Sequence, residues 1–152
     1  MRANTPGTST GEAPTVEPVW GTTTTLAHLE GRHGSETAAL LALCESDATL
    51  GEPLVPGLPY LRVEAVWAAR REMAHTLTDV LARRTRALIL DREAAAMAAP
   101  DVALLLASEL GWDNAEQDRQ VAEFERVVEA ERRSASARPA SAAGTSAPVA
   151  AP

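Results

Sequence analysis

The sequence predicts an all-α fold, a compact bundle of about six short helices between two disordered tails. Ala, Leu and Val dominate the apolar residues while aromatic residues make up 3% of the chain, and Ala and Leu have high helix propensity. Apolar residues in the middle of the chain recur at the i, i+3, i+4 spacing of a helix. Residue types that start and stop helices separate these apolar segments.

Composition divides the chain into three segments. Its 152 residues suit one domain. Residues 1–19 are rich in Thr, Pro and Gly, and residues 134–152 are almost wholly Ser, Ala, Pro and Gly. Such segments cannot bury enough apolar surface to offset the entropy lost when the chain is ordered. We therefore expect a disordered N-terminal segment over 1–19, a helical domain over 20–133 and a disordered tail over 134–152.

Two short helices are predicted at the start of the domain. The first covers Thr24–Glu30 and is closed by Gly31, because glycine readily adopts the left-handed conformation that ends helices. The second starts from Ser35, a residue type that favours helix N-caps. Leu40 and Cys44 share one face of this second helix. Cys44 is therefore expected to be buried as a small hydrophobic residue rather than to be redox-active.

A connection and a core helix follow. Residues 51–59 contain three Pro and two Gly, which excludes a continuous helix there. Helical spacing resumes at Tyr60 and runs to near Met73, with Val66 and Trp67 on the apolar face. We expect this helix to face the core and Trp67 to be buried.

Thr76 and Asp79 predict the start of the next helix. Their spacing of three residues is that of a capping box with an acid as the second member, in which each side chain accepts a hydrogen bond from a free backbone amide of the first turn. Leu77, Val80 and Leu81 then supply the apolar face of the helix.

The last third of the chain predicts further helices. Asp91 is a suitable cap for a helix through Met97, and Pro100 fits the first turn of another, so the two should meet or kink at the proline. Gly111 is typical of a helix end. The final helix is predicted to begin at Asp113 with an acidic outer face, and to bury its apolar residues, which are Val121, Phe124 and Val128.

Charge and hydropathy exclude several function classes. The net charge of -7 argues against nucleic-acid binding, which needs clustered positive charge to displace counterions from phosphates. The N-terminus has no apolar signal region, and no apolar run approaches the roughly twenty residues needed to cross a bilayer. The chain is therefore expected to be cytoplasmic, with no nucleic-acid partner and no transmembrane segment.

A search for catalytic, cofactor and metal motifs predicts none in this chain. A dinucleotide site needs a glycine-rich turn from a strand into a helix, and Gly31 and Gly34 follow no predicted strand. His28 and His33 are five residues apart, which misses the i, i+4 spacing that places two imidazoles on one helical face, and His75 lies far from both. No Walker-type loop or glycine-flanked nucleophile is present.

The segment between residues 60 and 92 is the one basic concentration, with seven Arg against four acids. Two interpretations of its charged residues stay open. In the first, which we favour, the charged residues form ion pairs that hold the helices together. In the second, the arginines bind an anion or an acidic partner. The residues of this candidate structural or docking network are Glu64, Arg70, Glu72, Asp79, Arg83, Arg84 and Arg86.

The same segment resembles a known family. Its matching residues are Glu64, Trp67, Ala68, Glu72, Ala74, Thr76, Leu77, Asp79, Leu81, Arg83, Arg84, Thr85 and Arg86. In order and spacing they resemble a run in the C-terminal helical domain of FAD-dependent glycerol-3-phosphate dehydrogenases and α-glycerophosphate oxidases. Residues 109–112 resemble that domain's E-L-G-W segment, and residues 32–34 resemble its R-Y-G turn with His33 in place of Tyr. The similarity covers residues 26–133.

The resemblance implies a parent reaction and a role. Enzymes of this family oxidise sn-glycerol 3-phosphate to dihydroxyacetone phosphate, reduce FAD and pass electrons to quinone or oxygen, and some associate peripherally with the inner membrane. Their flavin and substrate contacts lie mainly in preceding domains, and no catalytic residue of the family can be carried onto a position here. We therefore expect an accessory domain that is inactive alone, holds no FAD itself and docks on a flavin-binding catalytic domain or subunit. The alternative is a stand-alone interaction module that uses its arginine-rich surface.

Overall fold

The computed structural model describes residues 21–137 and confirms the all-α class. Within that range the chain has no β-strand, and the one isolated bridge joins Pro53 to Leu61. The six α-helices are α1 (Thr23–His33), α2 (Thr37–Ser46), α3 (Arg62–Arg71), α4 (Ala87–Leu90), α5 (Arg92–Leu110) and α6 (Asn114–Ala137). Two short 3₁₀ turns flank α2, at Gly34–Glu36 and Ala48–Gly51, and a π-helical turn covers Asp79–Arg84.

Helix α3 lies between two hydrophobic clusters. Residues 63–68 are all buried, so this helix is enclosed on every side over nearly two turns. Val63, Val66 and Trp67 face the smaller cluster, which α1 and α2 complete with residues such as Leu40 and Cys44. The predicted burial of Trp67 and Cys44 is confirmed.

The larger cluster lies on the opposite side of α3. Ala65 and Ala68 contribute the α3 side, α5 contributes mainly alanines together with Val102 and Leu106, and α6 contributes the completely buried Phe124. Short alanine side chains let α5 approach α3 closely. Leu105 of α5 packs against both clusters.

The first helix is longer than the sequence predicts. Helix α1 continues through Gly31 to His33, and Gly34 ends it with a positive φ of 53°. The added residues Arg32 and His33 both bond to Glu64 of α3, and these contacts offset the low helix propensity of Gly31. The prediction of Ser35 as an N-cap was also wrong, because Ser35 lies inside the 3₁₀ turn and α2 begins at Thr37.

Helix α5 is continuous where a break or kink was predicted. It runs for 19 residues with Pro100 in its interior. Pro100 is exposed, so water can bond to the Ala96 carbonyl that loses its amide partner. Buried residues on both sides of the proline, including Ala99 and Val102, hold the helix together by packing.

Most of the other start and stop signals act as predicted. Gly111 ends α5 with a φ of 69°, and Asp113 accepts a hydrogen bond of 2.8 Å from the amide of Glu116. Helix α6 reaches Ala137, so it includes the first four residues of the segment 134–152 whose composition predicts disorder. The predictions for residues 1–19 and for the rest of that tail lie outside the described residues.

Candidate functional site

The centre of the charged network is the carboxylate of Glu64. Glu64 lies in the first turn of α3 and is 2% exposed. A lone buried carboxylate is costly because it loses its hydration, so its partners decide whether it stabilises the fold. Residues from α1 and the backbone before α3 supply those partners.

Four groups surround the carboxylate oxygens of Glu64. The Arg32 Nε lies 2.8 Å from Oε2, and the His33 Nε2 lies 3.2 Å from the same oxygen. The His28 Nε2 lies 3.1 Å from Oε1, which also accepts a 3.0 Å hydrogen bond from the amide of Leu61. Glu64 therefore caps its own helix and joins α3 to three residues of α1.

These partners keep Glu64 ionised. Burial alone would raise the pKa of this carboxyl group. The hydrogen bonds from His33 and the Leu61 amide, together with the charges of His28 and Arg32, outweigh burial and hold the pKa of Glu64 below its ordinary value. The carboxylate is thus a structural anion at neutral pH.

Tyr60 closes the outer side of this cluster. Its ring lies edge-on to His28 at 5.5 Å, and the guanidinium of Arg32 lies 5.2 Å from the ring centroid. The same Arg32 donates a hydrogen bond of 2.5 Å to the carbonyl of Arg84. One arginine of α1 therefore contacts the start of α3 and the end of the π-helical turn.

The free energy of unfolding is expected to decrease in acid. A carboxyl group whose pKa is lowered in the folded state stabilises the fold fully above its unfolded pKa, and the stabilisation is lost as the pH falls through the lower folded value. For Glu64 the loss should therefore begin below the ordinary value of 4.5. Urea denaturation at pH values from about 7 to about 3 measures this change, and a constant free energy over that range would contradict it.

The remaining candidate residues form separate pairs. Arg84 binds Glu72 twice, through a 3.1 Å ion pair and a 2.7 Å hydrogen bond to the backbone carbonyl. Arg70 makes a two-pronged pair with Glu109 at 2.6 and 2.8 Å, which joins α3 to α5. Arg86 is exposed and makes no ion pair among the described residues.

Asp79 forms the predicted capping box. Its carboxylate accepts hydrogen bonds of 3.1 Å from the amides of His75 and Thr76, and its own amide donates to the Thr76 hydroxyl at 3.0 Å. The carboxylate also pairs with Arg83 at 2.5 Å. Although partial burial raises the pKa of Asp79, these hydrogen bonds and the Arg83 charge lower it overall.

Two further structural findings bear on function. In the part of the chain that the structure describes, no three His, Cys, Asp or Glu side chains are grouped so that they could hold a metal ion. No helix between residues 21 and 137 is both long and apolar enough to cross a membrane. The ion pairs of Glu64 and Glu72 link separate segments of the chain, whereas the contacts of Asp79 lie within one turn.

Comparison with known proteins identifies the family. The model of the C-terminal domain of α-glycerophosphate oxidase matches residues 13–117, which is more than half of the chain. The chain belongs to this family. It is 42% identical over 104 residues to glycerol-3-phosphate dehydrogenase 2 of Mycobacterium bovis, and 30% identical over 104 residues to glycerol-3-phosphate dehydrogenase of Synechocystis. A mitochondrial glycerol-3-phosphate dehydrogenase of Arabidopsis thaliana is 33% identical over 102 residues.

The matched region is a small part of each relative. It covers 68% of this chain for the M. bovis and Synechocystis proteins and 67% for the Arabidopsis protein, but 18%, 19% and 16% of those proteins respectively. The chain therefore spans about a fifth of the length of these curated relatives. No solved structure matches the chain.

The geometry gives physical roles to residues that resemble the motifs of the α-glycerophosphate oxidase C-terminal domain. Glu64 and Glu72 each bind an arginine from another helix or turn, and Glu109 of the E-L-G-W segment binds Arg70. His33, which stands where the R-Y-G turn has Tyr, contacts the Glu64 carboxylate. These family-like positions hold the helices of this domain to one another.

Sequence reasoning missed the partners of Glu64. The spacing of His28 and His33 bears only on a metal site, and Arg32 falls in the segment that resembles the R-Y-G turn. His28, Arg32 and His33 lie 31 to 36 residues before Glu64 in the chain. His28 and Arg32 are four residues apart and share one side of a helix that continues to residue 33, but this spacing does not indicate that Glu64 lies beside them.

Replacing Asp79 with Ala should lower the free energy of unfolding by about 1 kcal/mol through the lost cap. The reason is that two backbone amides lose their acceptor, while the exposed Arg83 can return to water. Arg83→Ala is the matched control and should cost less, because it leaves the capping box intact. Thermal or urea denaturation of both variants measures the difference. Equal losses would assign the effect to the ion pair rather than to the cap.

Proposed function

We propose that the chain is the accessory C-terminal helical domain of an FAD-dependent glycerol-3-phosphate dehydrogenase. The family match over residues 13–117 is the observation that carries this proposal. The parent reaction is the oxidation of sn-glycerol 3-phosphate to dihydroxyacetone phosphate. In the proposal, a catalytic polypeptide binds flavin and substrate. This polypeptide corresponds to the part of the relatives outside the matched region, and the complex lies on the cytoplasmic side of the membrane.

One feature supports a flavin site outside residues 21–137. A dinucleotide cradle uses a glycine-rich turn that enters a helix, but Gly31 lies within α1 and Gly34 closes that helix. We derive no redox step from the described residues.

The paired state of the charged motif favours this role over a free arginine-rich binding module. Arg70, Arg83 and Arg84 each have an acid partner within the domain. In these pairs the arginines hold segments of the domain in position. Arg86 is the one arginine of the predicted network that makes no ion pair among the described residues.

A reconstitution experiment tests the proposal. The M. bovis relative, truncated before the region that this chain matches, is mixed or co-expressed with the full 152-residue chain. We expect the purified chain alone to show no flavin absorbance and no oxidation of glycerol 3-phosphate, and we expect it to bind the truncated dehydrogenase and raise its thermal stability. Flavin bound to the isolated chain, or no binding to the truncated dehydrogenase, would overturn the proposal.

A further inference from the structure

One side of α5 is apolar and uncovered. Met97, Pro100 and Leu104 lie at i, i+3 and i+7 along this helix, so they share one side of it. Met97 is 76% exposed and Leu104 is 64% exposed. Large apolar side chains that are exposed together on one face mark an interaction surface more often than isolated ones do.

A groove continues this surface. Met97 also lines the groove of about 150 Å³ between α5 and the connection before α3. Pro53, Leu54 and Pro56 form the opposite wall, and Val102 and Leu105 lie in the groove as well. We call the exposed side of α5 and this groove together the α5 face. Its shape suits the insertion of an apolar side chain from a partner.

Two charged residues line the groove without partners of their own. The Nε of Arg62 is buried and has no hydrogen-bond acceptor within residues 21–137. Asp101 makes no ion pair in that part of the chain. The buried Arg62 Nε is not accessible to a partner, whereas Asp101 is exposed. The groove therefore offers an exposed acceptor beside an apolar surface.

We propose that the α5 face is the surface on which the flavin-bearing part of a glycerol-3-phosphate dehydrogenase docks. This inference rests on the proposed function and names its interface. More than four fifths of the M. bovis relative lies outside the matched region, so a domain of this size has a large neighbour to contact. Interfaces between domains bury several hundred square ångströms of mixed polar and apolar surface, and the α5 face has that composition.

The other exposed large apolar residues are Met73, Ile89 and Leu90, and two of them provide a matched control. Met73 is 77% exposed and Leu90 is 56% exposed, close to the values for Met97 and Leu104. They lie in the turn after α3 and at the end of α4, so neither belongs to the α5 face. Among residues 21–137, one exposed Met and one exposed Leu thus lie on the proposed interface, and one of each lies elsewhere.

The test compares two double variants of the full chain, Met97→Gln with Leu104→Gln, and Met73→Gln with Leu90→Gln. Gln preserves side-chain length and helix propensity and adds no charge. Binding to the truncated M. bovis dehydrogenase is measured by calorimetry. We expect the first pair to weaken binding by roughly tenfold or more and the second pair to leave it unchanged.

Each outcome has one meaning. Equal binding by the wild-type chain and both double variants would overturn the α5 face while leaving the proposed function intact. Weakening by the Met73 and Leu90 pair alone would place the interface elsewhere. No binding by the wild-type chain would overturn the proposed function itself. A wild-type dimer that the Met97 and Leu104 pair dissociates, with no effect on dehydrogenase binding, would make a second copy of the chain the true occupant.

A second measurement covers the case in which the truncated dehydrogenase does not fold alone. Here the chain replaces the matched region within the M. bovis protein, and thermal release of flavin is followed. We expect the Met97 and Leu104 substitutions to lower the release temperature and the Met73 and Leu90 substitutions to leave it unchanged. Oxidation of exposed methionines gives an independent readout, because Met97 should be protected in the chimera and Met73 should not. Equal oxidation of both would overturn the proposed interface.

Discussion

Replacing Glu64 with Gln is expected to lower the free energy of unfolding by about 3 kcal/mol. The amide oxygen can still accept the hydrogen bond from Leu61, but the NH₂ group would then face Arg32 and His33. Breaking a buried ion pair typically costs about 3 to 5 kcal/mol. The lower end applies because 28% of the Arg32 side chain is exposed and can regain water. Urea denaturation monitored by circular dichroism measures the loss.

Glu72→Gln is the control for this prediction. Glu72 also pairs with an arginine, but both side chains are about one third exposed, at 31% and 37%. Exposed pairs contribute about 0 to 1 kcal/mol, so this substitution should be nearly neutral. A double-mutant cycle between Glu64 and Arg32 should give a coupling energy above about 0.5 kcal/mol. Equal losses for Glu64→Gln and Glu72→Gln would show that burial of Glu64 adds nothing.

The partners of Glu64 illustrate what local patterns cannot supply. That Glu64 would enter an ion pair was expected from its charge, but the partner residues depended on which helix packs against the start of α3. Hydrophobic packing decides this, because Leu29 of α1 and Val63 of α3 meet in the same cluster. Once those side chains meet, His28, Arg32 and His33 necessarily lie beside the carboxylate. A contact across more than thirty residues of chain has no local signal.

Local backbone chemistry, by contrast, could be predicted well. The Thr76 and Asp79 box, the left-handed Gly111 and the Asp113 cap each satisfy or position groups within a few residues. Their energetics do not depend on the rest of the fold. The wrong helix limit at Gly31 arose where tertiary contacts of Arg32 and His33 favoured continuing the helix past a weak stop signal.

The segment that begins at Asp79 departs from its predicted helix type. Its apolar residues predict an ordinary helix, whereas the chain forms a π-helical turn in which the amide of Thr85 bonds to the carbonyl of Val80 at 2.9 Å. The buried hydroxyl of Thr85 bonds to the same carbonyl at 2.9 Å. Arg86 then takes a left-handed conformation with a φ of 57°. The wider π-helical turn places the Val80 carbonyl within reach of the buried Thr85 hydroxyl. The spacing of apolar residues gives no indication of this hydrogen bond.

Replacing Trp67 with Ala is expected to lower the free energy of unfolding by about 3 to 5 kcal/mol. Trp67 is 7% exposed and belongs to the cluster that joins α1, α2 and α3, so its removal leaves a cavity between three helices. The loss should also loosen the contact between α1 and α3 that brings Arg32 to Glu64. Chemical denaturation of the full chain gives the free-energy change.

Trp112→Ala is the matched control, because Trp112 is half-buried and follows the end of α5 at the edge of the larger cluster. Its removal exposes less apolar surface and leaves no enclosed cavity, so the loss should be clearly smaller than for Trp67. A near-neutral Trp67→Ala would mean that the smaller cluster is not closed within this chain. That face of α3 would then need a neighbouring domain to cover it.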